Sequence, residues 1–277
     1  MQSLDTTVRR GEDGMRLLDF LAARLQTSRK KAKRLLDERC VFVNGRRTWM
    51  ARHVVRAGHG VTVATGDRPA APGADIPVVY EDEDYWIVNK PAGLLSTGDG
   101  SLEEQLRAEH GNAGVSVVHR LDRDTTGCLL VARSEAARRR AVELFRRREV
   151  SKTYHAIVAG RLRSDASALQ RPLDGRRAVT LYRILDAGEE ATHVQIKLVT
   201  GRTHQIRRHF HAVHHPVLGD RQYGTRVRLS RKGIRIGRQM LHASDMALHH
   251  PGGGAAIRAR APLPRDFRQC LRTFGLS

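Results

Sequence analysis

Leu17, Leu18, Leu21 and Leu25 recur at helical spacing, so an amphipathic helix is expected from Met15 onward. Ser28 stands as the N-cap of a second helix, whose apolar stripe is Ala32, Leu35 and Leu36. Its other face is a block of cations, Arg29, Lys30, Lys31, Lys33 and Arg34. The pattern then changes to short β-branched runs. Val41-Phe42-Val43 leads into Asn44-Gly45, a hairpin signal, and Val61-Thr62-Val63 closes the unit. Met1–Gly14 is polar and is expected to be loose. Residues 64–75 place Gly66, Pro69, Pro72 and Gly73 among alanines and read as a linker.

Beyond the linker, strands dominate. Ile76–Val79 and Tyr85–Val88 flank an acidic turn, Glu81–Asp84. Leu102–His110 reads as a short helix with Ser101 as cap and Glu104 as the box partner. Val115, Val117 and Val118 form one strand and Leu129, Leu130 and Val131 another, joined by a charged connection that Gly127 closes. Ser134–Arg148 is helical, with Ala137, Ala141, Leu144 and Phe145 inside and arginines outside. Val150–Val158 is a strand with Lys152, Tyr154 and Ala156 on one side. Ala191–Val199 alternates, with Val194, Ile196 and Leu198 inward and His193, Gln195 and Lys197 outward. Thr203 is placed to cap the helix that follows. The expected class is α+β: a large mixed, mainly antiparallel sheet over residues 76–277, with flanking helices and a cleft across it. A small α/β unit over residues 15–63 is tethered in front.

Charge narrows the partners. Lys plus Arg is 49 and Asp plus Glu is 29, a net 49 − 29 = +20 with a pI near 11.1. Such an excess points to a polyanion, nucleic acid first. No apolar run approaches the roughly 20 residues of a membrane span. Cys40, Cys128 and Cys270 form neither a disulfide framework nor a zinc pair, and a reducing cytoplasm is the simplest setting. His211 and His215 stand four apart, but Pro216 follows at once and no further ligand completes a set, so no metal is expected.

The chemistry centres on Asp122, held between the two central strands and flanked by Arg120 and Arg123. By itself this could be a polar hairpin with a salt bridge. The string His119-Arg120-Leu121-Asp122-Arg123-Asp124-Thr125-Thr126-Gly127, however, resembles the active-site signature of the RluA-type pseudouridine synthases, His-Arg-Leu-Asp followed by Thr-Ser/Thr-Gly. Other segments resemble that family in the same order. Asn89-Lys90-Pro91-Ala92-Gly93-Leu94 resembles its Asn-Lys-Pro-x-Gly-Leu segment, and Lys90 could face phosphate. Lys152-Thr153-Tyr154-His155-Ala156 resembles Lys-x-Tyr-x-Ala. Thr200-Gly201-Arg202-Thr203-His204-Gln205-Ile206-Arg207 resembles Thr-Gly-Arg-Thr/Ser-His-Gln-Ile/Leu-Arg. His215–Gly224 resembles a family turn whose role is mostly structural. Met15–Val63 resembles the S4 RNA-binding domain, with His59 where an acidic residue is usual.

The resemblance implies isomerisation of uridine to pseudouridine in RNA. It implies catalytic roles for Asp122, Tyr154 and Arg207, with Arg207 pairing the Asp and Tyr154 stacking on the base. Ile206 would line the base pocket, Arg120 fill the vacated space or hold a phosphate, and Arg202 anchor phosphate or loop. Arg29, Lys30, Lys31, Lys33 and Arg34 would bind RNA. Whether Asp122 attacks C1′ or deprotonates C2′ stays open. No net oxidation occurs, so no cofactor is needed. A monomer acting on ribosomal RNA is expected. Transfer RNA as substrate, a non-catalytic ribosome-assembly role and N-glycoside hydrolysis are the alternatives.

Overall fold

The computed structural model describes residues 4–37, 41–44, 46–48, 50–63, 76–224 and 236–277. The linker expected over 64–75, Gly45 of the Asn-Gly turn and the side chain of Arg34 lie outside the described residues. The chain divides into two compact units between residues 68 and 69.

The first unit contains β1 (Leu4–Thr7), α1 (Leu17–Arg24), α2 (Arg29–Asp37), β2 (Val41–Val43), β3 (Arg46–Arg47) and β4 (Gly60–Val63). Its strands form an antiparallel sheet in the order β1-β4-β2-β3. Leu17, Phe20, Leu21, Leu36, Val41 and Val61 are fully buried between helices and sheet. Ser28 caps α2, accepting the Lys31 N–H at 3.2 Å. Arg29, Lys30, Lys31 and Lys33 are exposed, and Arg29 also pairs with Asp19 at 3.1 Å.

The expectation of a loose Met1–Gly14 is corrected over its described part. Leu4–Thr7 pairs with β4 in register Leu4↔Val63 to Thr7↔Gly60, giving the polar edge of β4 the partners a strand edge demands. Glu12 accepts from Arg24 at 2.8 Å and Asp13 from the Ala57 N–H at 2.9 Å, which ties the rest of the segment down.

The second unit begins with β5 (Val78–Glu81), β6 (Tyr85–Lys90), α3 (Leu102–Glu109), β7 (Ser116–Val117), β8 (Thr126–Ala132) and α4 (Glu135–Arg147). It continues with β9 (Ser151–Ala159), β10 (Ala166–Leu169), β11 (Thr180–Ala187), β12 (Ala191–Leu198) and α5 (Gln205–Ala212). It closes with β13 (Leu241–His249), β14 (Ala256–Arg260) and α6 (Arg265–Thr273). Among the described residues the sheet runs β10-β11-β12-β9-β13-β8-β6-β5, with β14 on β13 and β7 on β8. All pairings are antiparallel except β8 with β13.

β8 is buried along its whole length. Cys128, Leu130 and Ala132 pack with Ala137 and Ala141 of α4, while Leu129 and Val131 pack with Leu102 and Leu106 of α3. A strand covered on both faces reads as a continuous apolar run. Gly127 lies inside β8 with φ +110°, and a Cβ there would fall 2.1 Å from the Ala243 carbonyl oxygen. The glycine therefore permits the close parallel approach of β13, rather than closing the loop.

Three local expectations change. Ser101 caps α3, accepting the Glu104 N–H at 3.3 Å, but the Glu104 carboxylate turns to the Gly100 N–H. Thr203 does not cap α5; His204 is the N-cap, in the left-handed region at φ 52°. His193 is not outward but 3 % exposed, because α6, not anticipated as a helix, covers that face with Phe267.

Candidate active site

Asp122 stands on the loop between β7 and β8, and other loops hold its backbone. Ser96 Oγ donates to the Leu121 carbonyl at 3.0 Å and accepts the Leu121 N–H at 3.0 Å. The Thr125 N–H closes a turn onto the Asp122 carbonyl at 3.0 Å.

Lys90 corrects the expectation of a phosphate contact. It is 0 % exposed, and its Nζ donates to the carbonyls of Pro91 at 2.8 Å, Leu94 at 2.7 Å and Arg123 at 2.9 Å. Three acceptors use all three N–H bonds of an ammonium. Burial pulls its pKa down to about 7. Lys90 is thus an internal staple that ties the Pro91–Leu94 turn to the residue after Asp122.

Arg207 projects from the first turn of α5 and is gripped from two sides. Nη1 donates to Asp122 Oδ2 at 2.9 Å. Nε and Nη2 donate to Asp220 at 2.6 and 3.0 Å, and Nη2 also reaches Gln222 Oε1 at 3.2 Å. Asp220 is 2 % exposed, and its Oδ1 accepts the N–H groups of Gln222 and Tyr223 at 2.8 and 3.0 Å. Burial opposes the charge on Arg207, but Asp220 and Asp122 outweigh it and raise the pKa. The fork thus fixes the guanidinium plane before Asp122 meets it.

Burial also works against the charge on Asp122, but His204, Arg207 and Arg120 outweigh it, and the carboxyl sits below its ordinary range. His204 Nε2 is 3.8 Å from Asp122 Oδ1 and its Nδ1 is 3.2 Å from the Tyr223 hydroxyl. Burial lowers the His204 pKa from its ordinary 6.5, against the pull of the neighbouring Asp122 carboxylate. Asp220 and His204 were not singled out in the sequence. His204 lay within a recognised string and Asp220 within a turn that reads as structural.

The side chains converge on a cavity of about 510 Å³. Asp122, Tyr154, Ile206 and Arg207 all line it, with Leu241 and Thr125. Tyr154 reaches it from β9, between Ile196 of β12 and Ala243 of β13. The ring is 5 % exposed, and burial together with Asp122 raises the phenol pKa, which keeps it neutral. Arg120 is exposed and Arg202 half-buried where they line the cavity. Arg202 also donates from Nε to the Arg177 carbonyl at 3.2 Å, a loop anchor. Among the described residues Asp122 is the only carboxylate lining the cavity. Hydrolysis by a carboxylate pair has no second member here.

One carboxylate held beside a guanidinium thus sits in a cationic cavity, faced by a phenol and an aliphatic side chain, on a mainly antiparallel sheet. The RNA pseudouridylate synthase family model matches residues 84–212 and the S4 domain model residues 15–59. Ribosomal large subunit pseudouridine synthase D of Vibrio cholerae is 33% identical over 303 aligned residues, covering 95% of this chain and 92% of that protein. The same-named protein of Escherichia coli K12 is 33% identical, covering 97% and 93%. An uncharacterized RNA pseudouridine synthase of Bacillus subtilis is 32% identical, covering 98% of each. The solved structure of human RNA pseudouridylate synthase domain containing 4 superposes with a TM-score of 0.60 at 25% identity, covering 73% of this chain and 94% of that one. The chain belongs to the RNA pseudouridylate synthase family.

Proposed function

We propose that the chain converts uridine to pseudouridine in ribosomal RNA, acting as a monomer in the cytoplasm. The observation that carries the reading is the contact of Arg207 with Asp122, 2.9 Å long, in a cavity that Tyr154 and Ile206 also line. The names of the relatives from Vibrio cholerae and Escherichia coli support ribosomal RNA as the substrate.

The target uridine leaves its stack at a cost of a few kcal/mol. Arg120 fills the vacated space or holds a phosphate. Asp122 acts at the sugar, as nucleophile on C1′ or base on C2′, and the N1–C1′ bond breaks. The freed uracil turns between Tyr154 and Ile206 and rejoins through C5. The C5 proton is lost and N1 gains one, so the sum is an isomerisation. Tyr154, a neutral phenol, serves chiefly as a stacking surface. The exposed cations Arg29, Lys30, Lys31 and Lys33 of α2 contact the RNA backbone.

Tritium release from 5-tritiated uridine in large-subunit ribosomal RNA, transcribed without modification, tests the reading. Release with pseudouridine as product is expected. Free uracil would indicate hydrolysis. No reaction on ribosomal RNA together with reaction on transfer RNA would move the substrate.

A further inference from the structure

The cavity continues past Tyr154 along β9. Two residues back, on the same side of the strand, Lys152 also lines it. Its Nζ lies 5.0 Å from the centroid of the Phe145 ring of α4, a cation–π distance. The same ring stacks on His119, with centroids 4.8 Å apart and planes 26° apart. His119 Nε2 accepts the Leu130 N–H at 3.2 Å, and burial with nearby Lys152 holds its pKa at about 3. His119 is therefore a neutral wall. Arg148, the left-handed C-cap of α4 at φ 63°, and Arg120 of the catalytic loop line the same cavity.

The pairing of cations on α4 divides along its surface. Glu135 takes Arg138 at 2.8 Å, Asp84 takes Arg140 at 2.6 Å, and Glu143 takes Arg146 and Arg147 at 2.6 and 2.8 Å. Among the described residues no carboxylate pairs with Lys152, Arg148 or Arg120. Burial alone acts on Lys152, lowering its pKa with no opposing charge. A part-buried ammonium without a counter-ion is unfavourable, and an anion entering the cavity relieves it.

We propose that Lys152, with Arg148 and Arg120, seats the RNA phosphodiester adjacent to the target uridine, with Phe145 and His119 as the wall behind it. The rise of a strand puts this seat about 7 Å from Tyr154, the reach of one nucleotide's backbone from its own base. A phosphate held there fixes the sugar while the detached uracil turns. The inference rests on the isomerase reading.

The test uses the full chain and Lys152→Met, which keeps the stem against Phe145 and removes the charge. Binding of fluorescein-labelled oligouridylate is followed by anisotropy from about 50 to 200 mM KCl. Loss of one phosphate contact is expected to make the slope of log K against log salt shallower by about 0.7. Lys152→Arg is expected to restore it. In the tritium assay Lys152→Met is expected to raise KM more than it lowers kcat. A wild-type slope in Lys152→Met overturns the proposal. If that variant fails to fold, exposed Arg148→Gln is read by the same slope and decides it. Stronger inhibition of wild type by inorganic phosphate than by chloride at equal ionic strength, absent in Lys152→Met, is expected of a phosphate seat; the same inhibition together with a wild-type salt slope in Lys152→Met would assign the seat to a free anion and overturn the phosphodiester. A slope change without tritium release by wild type supports the seat and overturns the isomerase reading instead.

Discussion

Asp220→Asn probes how the site is held, because Asp220 touches Arg207 but does not line the cavity. The substitution keeps the size and an acceptor oxygen for the Gln222 and Tyr223 N–H groups, bonds of 2.8 and 3.0 Å in the wild type. It removes the charge that takes Arg207 Nε at 2.6 Å and Nη2 at 3.0 Å. Arg207 is then a buried cation with Asp122 as its one remaining carboxylate. Removing one partner of a buried pair costs about 3 kcal/mol or more, which for a unit of this size lowers Tm by roughly 6–12 °C. The guanidinium is also freed to tilt toward Asp122, and a displacement near 1 Å at reacting groups lowers turnover by about 100-fold. Thermal unfolding and steady-state tritium release separate the two effects. kcat is expected to fall while KM stays close to wild type, since no surface facing the RNA has changed. A Tm loss with wild-type kcat would show that Arg207 serves Asp122 without Asp220.

Lys90→Met removes the ammonium donor from the Pro91 and Leu94 carbonyls, each worth about 1–3 kcal/mol when buried, while the Arg123 carbonyl keeps the Gly93 N–H at 3.0 Å. Urea unfolding should show the loss, while the salt slope of RNA binding stays that of wild type; a shallower slope would return Lys90 to the RNA. Tyr154→Ala is expected to lower kcat/KM by about 10- to 100-fold, the value of one base–aromatic stack, and Tyr154→Phe by much less. Equal losses would contradict stacking. Burial holds His119 at about 3, and burial with His193 holds His155 at about 4, against an ordinary 6.5. Between pH 6.5 and 4 the unfolded chain therefore binds more protons than the folded one, and stability falls as pH falls through that window. Tm measured from pH 7 to 5 should decline; a flat profile would contradict the buried neutral histidines.

Much of the site was legible because its strings are local. His119–Gly127 and Thr200–Arg207 each carry their chemistry within one short segment, and the fold needs only to bring two segments together. What failed to show depends on distant chain. Asp220 looks like one more turn residue until α5 and the following turn bring it beneath Arg207. Lys90, beside a Pro-x-Gly turn, has the pattern of a surface cation, and the Arg123 carbonyl that helps bury it is 33 residues away. His193 follows the outward phase of β12, and only α6 reverses its exposure. The Leu4–Thr7 strand is short and polar, and what orders it is the open edge of β4 rather than its own sequence. The strand and helix pattern carried the class of fold, because period-two and period-3.6 runs report a buried face directly.

The central claim is that the Asp122 carboxylate performs the step at the sugar. Asp122→Asn keeps the shape and an acceptor for Arg207 Nη1, which lies 2.9 Å from Oδ2 in the wild type. Tritium release from 5-tritiated ribosomal RNA, measured beside the affinity of the same variant for that RNA, addresses it most directly. No release above background is expected, with affinity within a few-fold of wild type. Release at the wild-type rate would contradict that role for Asp122.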